Sequence, residues 1–183
     1  MPNPTGWIYP LGLANKKGDE LCCGLGAKKS FTRPDQSFIN DKLSTVSTRD
    51  EGYLKSYVDK VYSNKKWSWD DIDPNLSSYR RSKLRNKAKS LGLVPDIKVD
   101  KATHFANFDD YAVADVKLPE AMFKASDAQQ FKYLDDMIGG KVEGHTWHHH
   151  QDSGRMQLLP LGLHKIYFHK GGRSTGMWAE GKR

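Results

Sequence analysis

The sequence predicts an α+β fold, with a mainly helical N-terminal region ahead of a small β-containing C-terminal region. Three observations predict it. Leu54, Val58 and Val61 recur at helical spacing, the pattern turns to β after Pro95, and a strand–turn–strand–helix succession runs from His145 to His169. The boundaries expected are a junction segment at 1–25, a helical accessory region at 26–95 and a second domain at 96–183.

Each element has a local reason. Pro2 to Leu25 is rich in Gly and Pro and shows no helical or strand period. From Asp50, a plausible N-cap, a helix is expected with Leu54, Val58 and Val61 on its inner face. Trp67, Trp69 and Pro74 interrupt it. Ser77 opens a second helix with Leu84, Ala88 and Leu91 on one face, and Gly92 ends it. Tyr111 to Leu118 reads as a strand closed by Pro119. Ser126 with Gln129 three residues on forms a capping box for a helix carrying Phe131, Leu134 and Ile138 inward, ended by Gly139-Gly140. His145–His150 and Arg155–Leu159 are β-compatible, and Gln151-Asp152-Ser153-Gly154 supplies the turn between them. Leu163 to His169 is expected to be helical, ended by Gly171-Gly172.

Composition narrows the function. At 37% hydrophobic the chain of 183 residues can build a core. No apolar run approaches the ~20 residues that span a bilayer, so no membrane insertion is expected. The first residues lack the charged-then-apolar pattern of a signal peptide. A net charge of +7 points to a polyanionic partner or to solubility alone. Cys22 and Cys23 are the two cysteines; adjacent thiols seldom form a structural disulfide and cannot build a thiolate zinc site. Any metal therefore falls to His, Asp or Glu.

Six of the seven histidines lie between His145 and His169, three of them consecutive at His148, His149 and His150. Imidazole both ligates divalent metals and exchanges protons near neutral pH, so one cluster can provide a metal site and a general base. Folding the hairpin onto the helix would bring His148 and His149 near His164. A phosphodiester resists attack because its oxygens are anionic and its alkoxide leaves poorly. A divalent ion on neutral imidazoles offsets that charge, and a histidine is suited to deprotonating water. His104 and His145 are expected to be structural, and Trp147 to pack beneath the hairpin.

Trp147-His148-His149-His150-Gln151-Asp152-Ser153-Gly154-Arg155-Met156-Gln157-Leu158-Leu159-Pro160, followed by His164, His169 and Gly171-Gly172, resembles the WHH family of toxin nucleases. That family belongs to the HNH/endonuclease VII superfamily, whose active site is a ββα-metal hairpin and helix. The resemblance is specific over residues 144–172, extends more loosely back to about Asp96, and says nothing about 26–95. It implies His148 and His164 as metal ligands, His149 as the general base, and His169 as a further ligand or a phosphate contact. His150 need not be histidine in the family. Arg155 stands where many members carry a central Asn, and would steady the loop or bind phosphate. One divalent ion is implied, Mg2+ first, with Zn2+, Mn2+ or Ni2+ as alternatives.

Pro2-Asn3-Pro4-Thr5-Gly6-Trp7-Ile8-Tyr9-Pro10-Leu11-Gly12-Leu13 resembles the motif that closes the core of Rhs-repeat proteins ahead of a variable toxin domain. The family usually has Asp, implicated in release, where Tyr9 stands. Together the two resemblances imply a DNase effector secreted by a contact-dependent or type VI route into the cytoplasm of a rival bacterium. Its expected partners are DNA, an Rhs core shell and a cognate acidic immunity protein.

Six basic residues and no acidic one fall between Arg80 and Lys89; of these Arg80, Arg81, Lys83 and Arg85, with Lys165, Lys170 and Arg173 near the histidines, are the candidate phosphate-binding set. An ordinary solvated helix surface accounts for such a run more simply, because charge runs on exposed helices are common. Two other readings compete with the DNase: a non-enzymatic nucleic-acid-binding module with a closed structural metal site, and the same catalytic site acting on RNA.

Overall fold

A computed structural model describes residues 29–181. The junction segment at 1–25, with Tyr9 and the Cys22-Cys23 pair, lies outside the described residues. The order of elements is three helices, a strand, a helix, two strands and a short helix. No helix among the described residues is long and apolar enough to cross a membrane.

Helix α1 (Gln36–Ser44) buries Ile39 and Leu43, one turn apart on one face. Helix α2 (Thr48–Tyr62) buries Leu54, Tyr57, Val58 and Val61. Its N-cap is Ser47, not Asp50: the Ser47 hydroxyl accepts from the Asp50 N–H. Asp50 instead occupies the first turn, where a negative charge suits the helix dipole, and pairs there with Arg80. Helix α3 (Ser78–Ser90) is capped by Ser77 and buries Leu84 and Ala88. Gly92, at φ +69°, turns the chain out of it.

Strand β1 (Ala114–Lys117) is shorter than the expected 111–118, because Tyr111 and Ala112 both donate to the Phe108 carbonyl and hold that end in a turn. Helix α4 (Asp127–Met137) opens on the capping box of Ser126 and Gln129 and buries Leu134, with Phe131 and Ile138 packed beside it. Gly139 and Gly140 leave it at φ +91° and +132°. Strands β2 (His145–His149) and β3 (Arg155–Pro160) form the hairpin, and the antiparallel sheet has the order β1-β3-β2. The central strand β3 is covered on both faces, which explains its nearly continuous apolar run.

Helix α5 (Leu161–His164) is the largest departure from expectation, which placed a helix over 163–169. Lys165 and Ile166 close it with three-residue hydrogen bonds to Gly162 and Leu163. Beyond it the Lys170 N–H donates to the His104 carbonyl, and residues Phe105 and Lys170 bridge in parallel. That bridge draws the chain out of helical conformation, so His169 stands on an extended segment.

Two apolar clusters flank the sheet. Trp147, Met156 and Leu158 pack with Val116, Leu118 and Leu134 on the α4 side. Leu159, Leu163 and Ile166 join Phe108 and the buried faces of α1, α2 and α3 on the other. This larger core crosses the boundary expected at residue 95.

Candidate metal and catalytic centre

The hairpin fixes the site because its register is unambiguous. His148 stands opposite Gln157 and His149 opposite Met156. Gly154 takes φ +76° at the turn, where a Cβ would press on the Leu118 carbonyl and the Phe123 ring. Consecutive strand residues face opposite sides, so His148 and His149 serve different surroundings.

His148 turns toward His164, at the end of α5, and His169. One nitrogen from each of the three lies within 4.8 Å of the others. Their rings sit 4.9 Å (His148–His169), 5.3 Å (His148–His164) and 4.7 Å (His164–His169) apart. Phe108 forms an apolar floor, with its ring 5.1 Å from His148 and 5.0 Å from His169. The His169 Nδ1 lies 3.0 Å from the Tyr167 carbonyl, so Nδ1 donates and Nε2 keeps its lone pair for the cluster.

Burial, then the neighbouring His164 and His169, pushes the His148 pKa down to about 2. Burial, with His169 next, pushes His164 down to about 3, and burial lowers His169. All three are therefore neutral imidazoles at cellular pH, the form that ligates. The buried Nε2 of His148 has no hydrogen-bond partner. Such an atom costs ~1–3 kcal/mol unless something binds it. Three neutral imidazoles and an orphaned nitrogen fit a divalent metal.

His149 is buried on the α4 side. Its Nε2 lies 2.6 Å from Gln130 Oε1 and 3.9 Å from Asp127 Oδ1, and its ring packs 5.7 Å from Phe131 and 5.7 Å from Trp178. The structure thus separates the expected base from the three expected ligands. Nothing local in the sequence marks Gln130; only the packing of α4 on the sheet reveals it.

Arg155 reaches back rather than outward. Its Nε lies 2.9 Å from Asp115 Oδ2, and its Nη2 lies 2.6 Å from both Asp109 and Asp115. Hydrogen bonding to Asp115 holds its pKa above the usual arginine value. His150 sits between Arg155 and Asp152, with its own pKa lowered by burial and by Arg155. The Arg155 guanidinium thus ties the start of β3 to Asp115 on β1 and to Asp109. A cleft of about 540 Å³ opens beside it, lined by Lys98, Asp100, Asp109, His150, Asp152 and Arg155 among others.

The candidate phosphate ligands are dispersed. Arg80 pairs with Asp50, and Arg81 pairs with Asp70 while donating to the Leu76 carbonyl. Lys83 lies over Tyr79 and Arg85 over Trp69. Lys165 donates to the Trp67 carbonyl. Arg173, with its side chain only 7% exposed, binds Asp127 and the carbonyls of Ala125 and Ala179. Lys170 is exposed beside His169. As expected, Trp147 packs in the core, and its Nε1 donates to Asp135. His104 and His145 stand outside the imidazole cluster.

No match is found among curated proteins or solved structures. Residues 138–179, which hold β2, β3, α5 and all three cluster histidines, match the family described as a nuclease of the HNH/ENDO VII superfamily with conserved WHH.

Proposed function

We propose that the protein is a metal-dependent endonuclease acting on DNA, with His148, His164 and His169 as metal ligands and His149 as general base. The observation that carries this reading is the donor set: three neutral imidazoles gather at the hairpin–helix junction, and no fourth His, Cys, Asp or Glu joins that group among the described residues. Catalytic metal sites keep three protein ligands and an open position, whereas structural sites are closed by four. His149 stands next in the strand and outside the group.

The bound ion would stabilise charge developing on the phosphate and its leaving oxygen. His149 would take a proton from the attacking water. In-line displacement needs base and leaving-group stabiliser to be different groups on opposite sides of phosphorus, and His149 does not belong to the metal-ligand set. Imidazole nitrogens favour Zn2+ or Ni2+ over Mg2+, which prefers oxygen ligands, so Zn2+ and Ni2+ are tested beside the Mg2+ that the resemblance implies.

The Rhs-like motif at residues 2–13 and the toxin nucleases that the histidine segment resembles support a role as a C-terminal effector in interbacterial competition. The net charge of +7 suits both DNA and an acidic immunity protein. The test is calorimetric titration of metal-free protein with Zn2+, Ni2+ and Mg2+, paired with DNA cleavage in each ion. One equivalent of Zn2+ or Ni2+ should bind, His164→Ala should weaken it at least tenfold, and EDTA should stop cleavage. Cleavage that persists in EDTA would defeat the proposal.

A further inference from the structure

Gln130 is completely buried on α4, outside the segment that matches the WHH nucleases. Its side-chain orientation is fixed by what surrounds it. One end lies 2.7 Å from the Met122 carbonyl and 3.0 Å from the Phe123 carbonyl. Two acceptors require the amide nitrogen at that end, because an oxygen there would face two other oxygens. The amide oxygen is therefore the atom 2.6 Å from His149 Nε2. An amide oxygen cannot donate, so Nε2 must carry the proton.

We propose that Gln130 is a positioning residue that locks His149 in the tautomer with its proton on Nε2 and its lone pair on Nδ1. That the locked ring then serves as general base rests on the nuclease reading above. The lock is rigid at both ends. The capping box of Ser126 and Gln129 sets the start of α4, and Leu134 with Trp147 anchors that helix to the sheet. Asp127, whose Oδ1 lies 3.9 Å from His149 Nε2, is held by Arg173 at 2.6 Å and lies farther from Nε2 than the amide oxygen does. A neutral acceptor thus orients the ring without placing a full charge against it. Because Gln130 is buried, it acts through His149 and touches no substrate.

Two-bond 1H–15N correlation spectra of the 15N-labelled full chain read the tautomer directly, with His149 assigned by its absence in His149→Ala. The wild type should show the Nε2–H form, and Gln130→Met should release it to a mixture. In plasmid cleavage, Gln130→Met should lower kcat about 10- to 100-fold with KM unchanged, the range known for groups that orient metal-bound imidazoles. Gln130→Glu, buried against the Met122 and Phe123 carbonyls, is held protonated, donates to one of them and keeps its carbonyl oxygen as the acceptor for His149, so it should recover most of that loss. An Nδ1–H form in the wild type would overturn the proposal, as would an unchanged tautomer in Gln130→Met. A Gln130→Glu variant as slow as Gln130→Met would also overturn it, by placing the role in the loop carbonyls. The spectra need no cleavage, so a wild type that shows the lock but cuts nothing defeats the nuclease reading alone.

Discussion

Gly162 of α5 lies so close to Val61 of α2 that a Cβ on Gly162 would overlap the Val61 carbonyl oxygen. His164 follows two residues later, so a cluster histidine is placed by the N-terminal helices as well as by the hairpin. Leu163 beside it is fully buried in the core shared with α1, α2 and α3.

Gly162→Ala sets helix propensity against that overlap. Propensity favours Ala by at most ~1 kcal/mol. Overlap with backbone that cannot rotate away costs more, and a net loss of roughly 2–3 kcal/mol is expected. Urea denaturation checks the sign; an equal or raised midpoint would show that α5 is not pinned to α2.

Arg155 joins Asp109 and Asp115, which would otherwise face each other across the end of the sheet. Arg155→Ala should cost about 1–2 kcal/mol, a range already discounted for partial exposure. Arg155→Lys should recover little of it, since an ammonium cannot reproduce the forked contact. Denaturation midpoints of the two variants check both statements.

The metal-free protein should lose stability in acid. Burial holds the folded pKa values of His148 and His164 down at about 2 and about 3. In the unfolded chain both revert to ~6.5. Below that value the unfolded chain takes up protons that the folded cluster refuses. The stabilisation is therefore complete above pH ~6.5 and is lost progressively as pH falls toward the folded values. The slope is at most about 1.4 kcal/mol per pH unit for each imidazole. Urea midpoints in EDTA at pH 7.5, 5.5 and 4.5 should fall, and His164→Ala should flatten the decline.

Lys170 and the arginines of α3 should separate in DNA binding. Lys170 is exposed next to His169, whereas Arg80 and Arg81 are paired with Asp50 and Asp70. Lys170→Ala should weaken DNA binding and reduce the salt slope by about 1. The double variant Arg80→Ala/Arg81→Ala should lower stability and leave the salt slope unchanged. Filter binding of inactive protein across a salt series checks both.

What the sequence revealed was local. Ser126 and Gln129 identify a helix start within four residues, and the turn closed by Gly154 identifies the hairpin, because each carries its own hydrogen-bond chemistry. The same local reasoning put His169 on a helix, since the bridge between Phe105 and Lys170 that straightens the segment joins distant parts of the chain. Arg155 was legible as a candidate, but its partners Asp109 and Asp115 lie 46 and 40 residues away. Gln130 left no sign at all: a glutamine inside a helix is ordinary until the fold brings His149, 19 residues on, against it. Helix α1 has only Ile39 and Leu43 as buried anchors, too short a pattern to distinguish it beforehand.

Cleavage of supercoiled plasmid by the purified protein tests the central claim most directly, with Zn2+, Ni2+, Mn2+ or Mg2+ beside EDTA and a His149→Ala control. The account predicts nicking and linearisation that require a divalent ion and fall by at least 100-fold in His149→Ala, while that variant still binds one metal ion. Intact plasmid in every ion, or undiminished cleavage by His149→Ala, would contradict it.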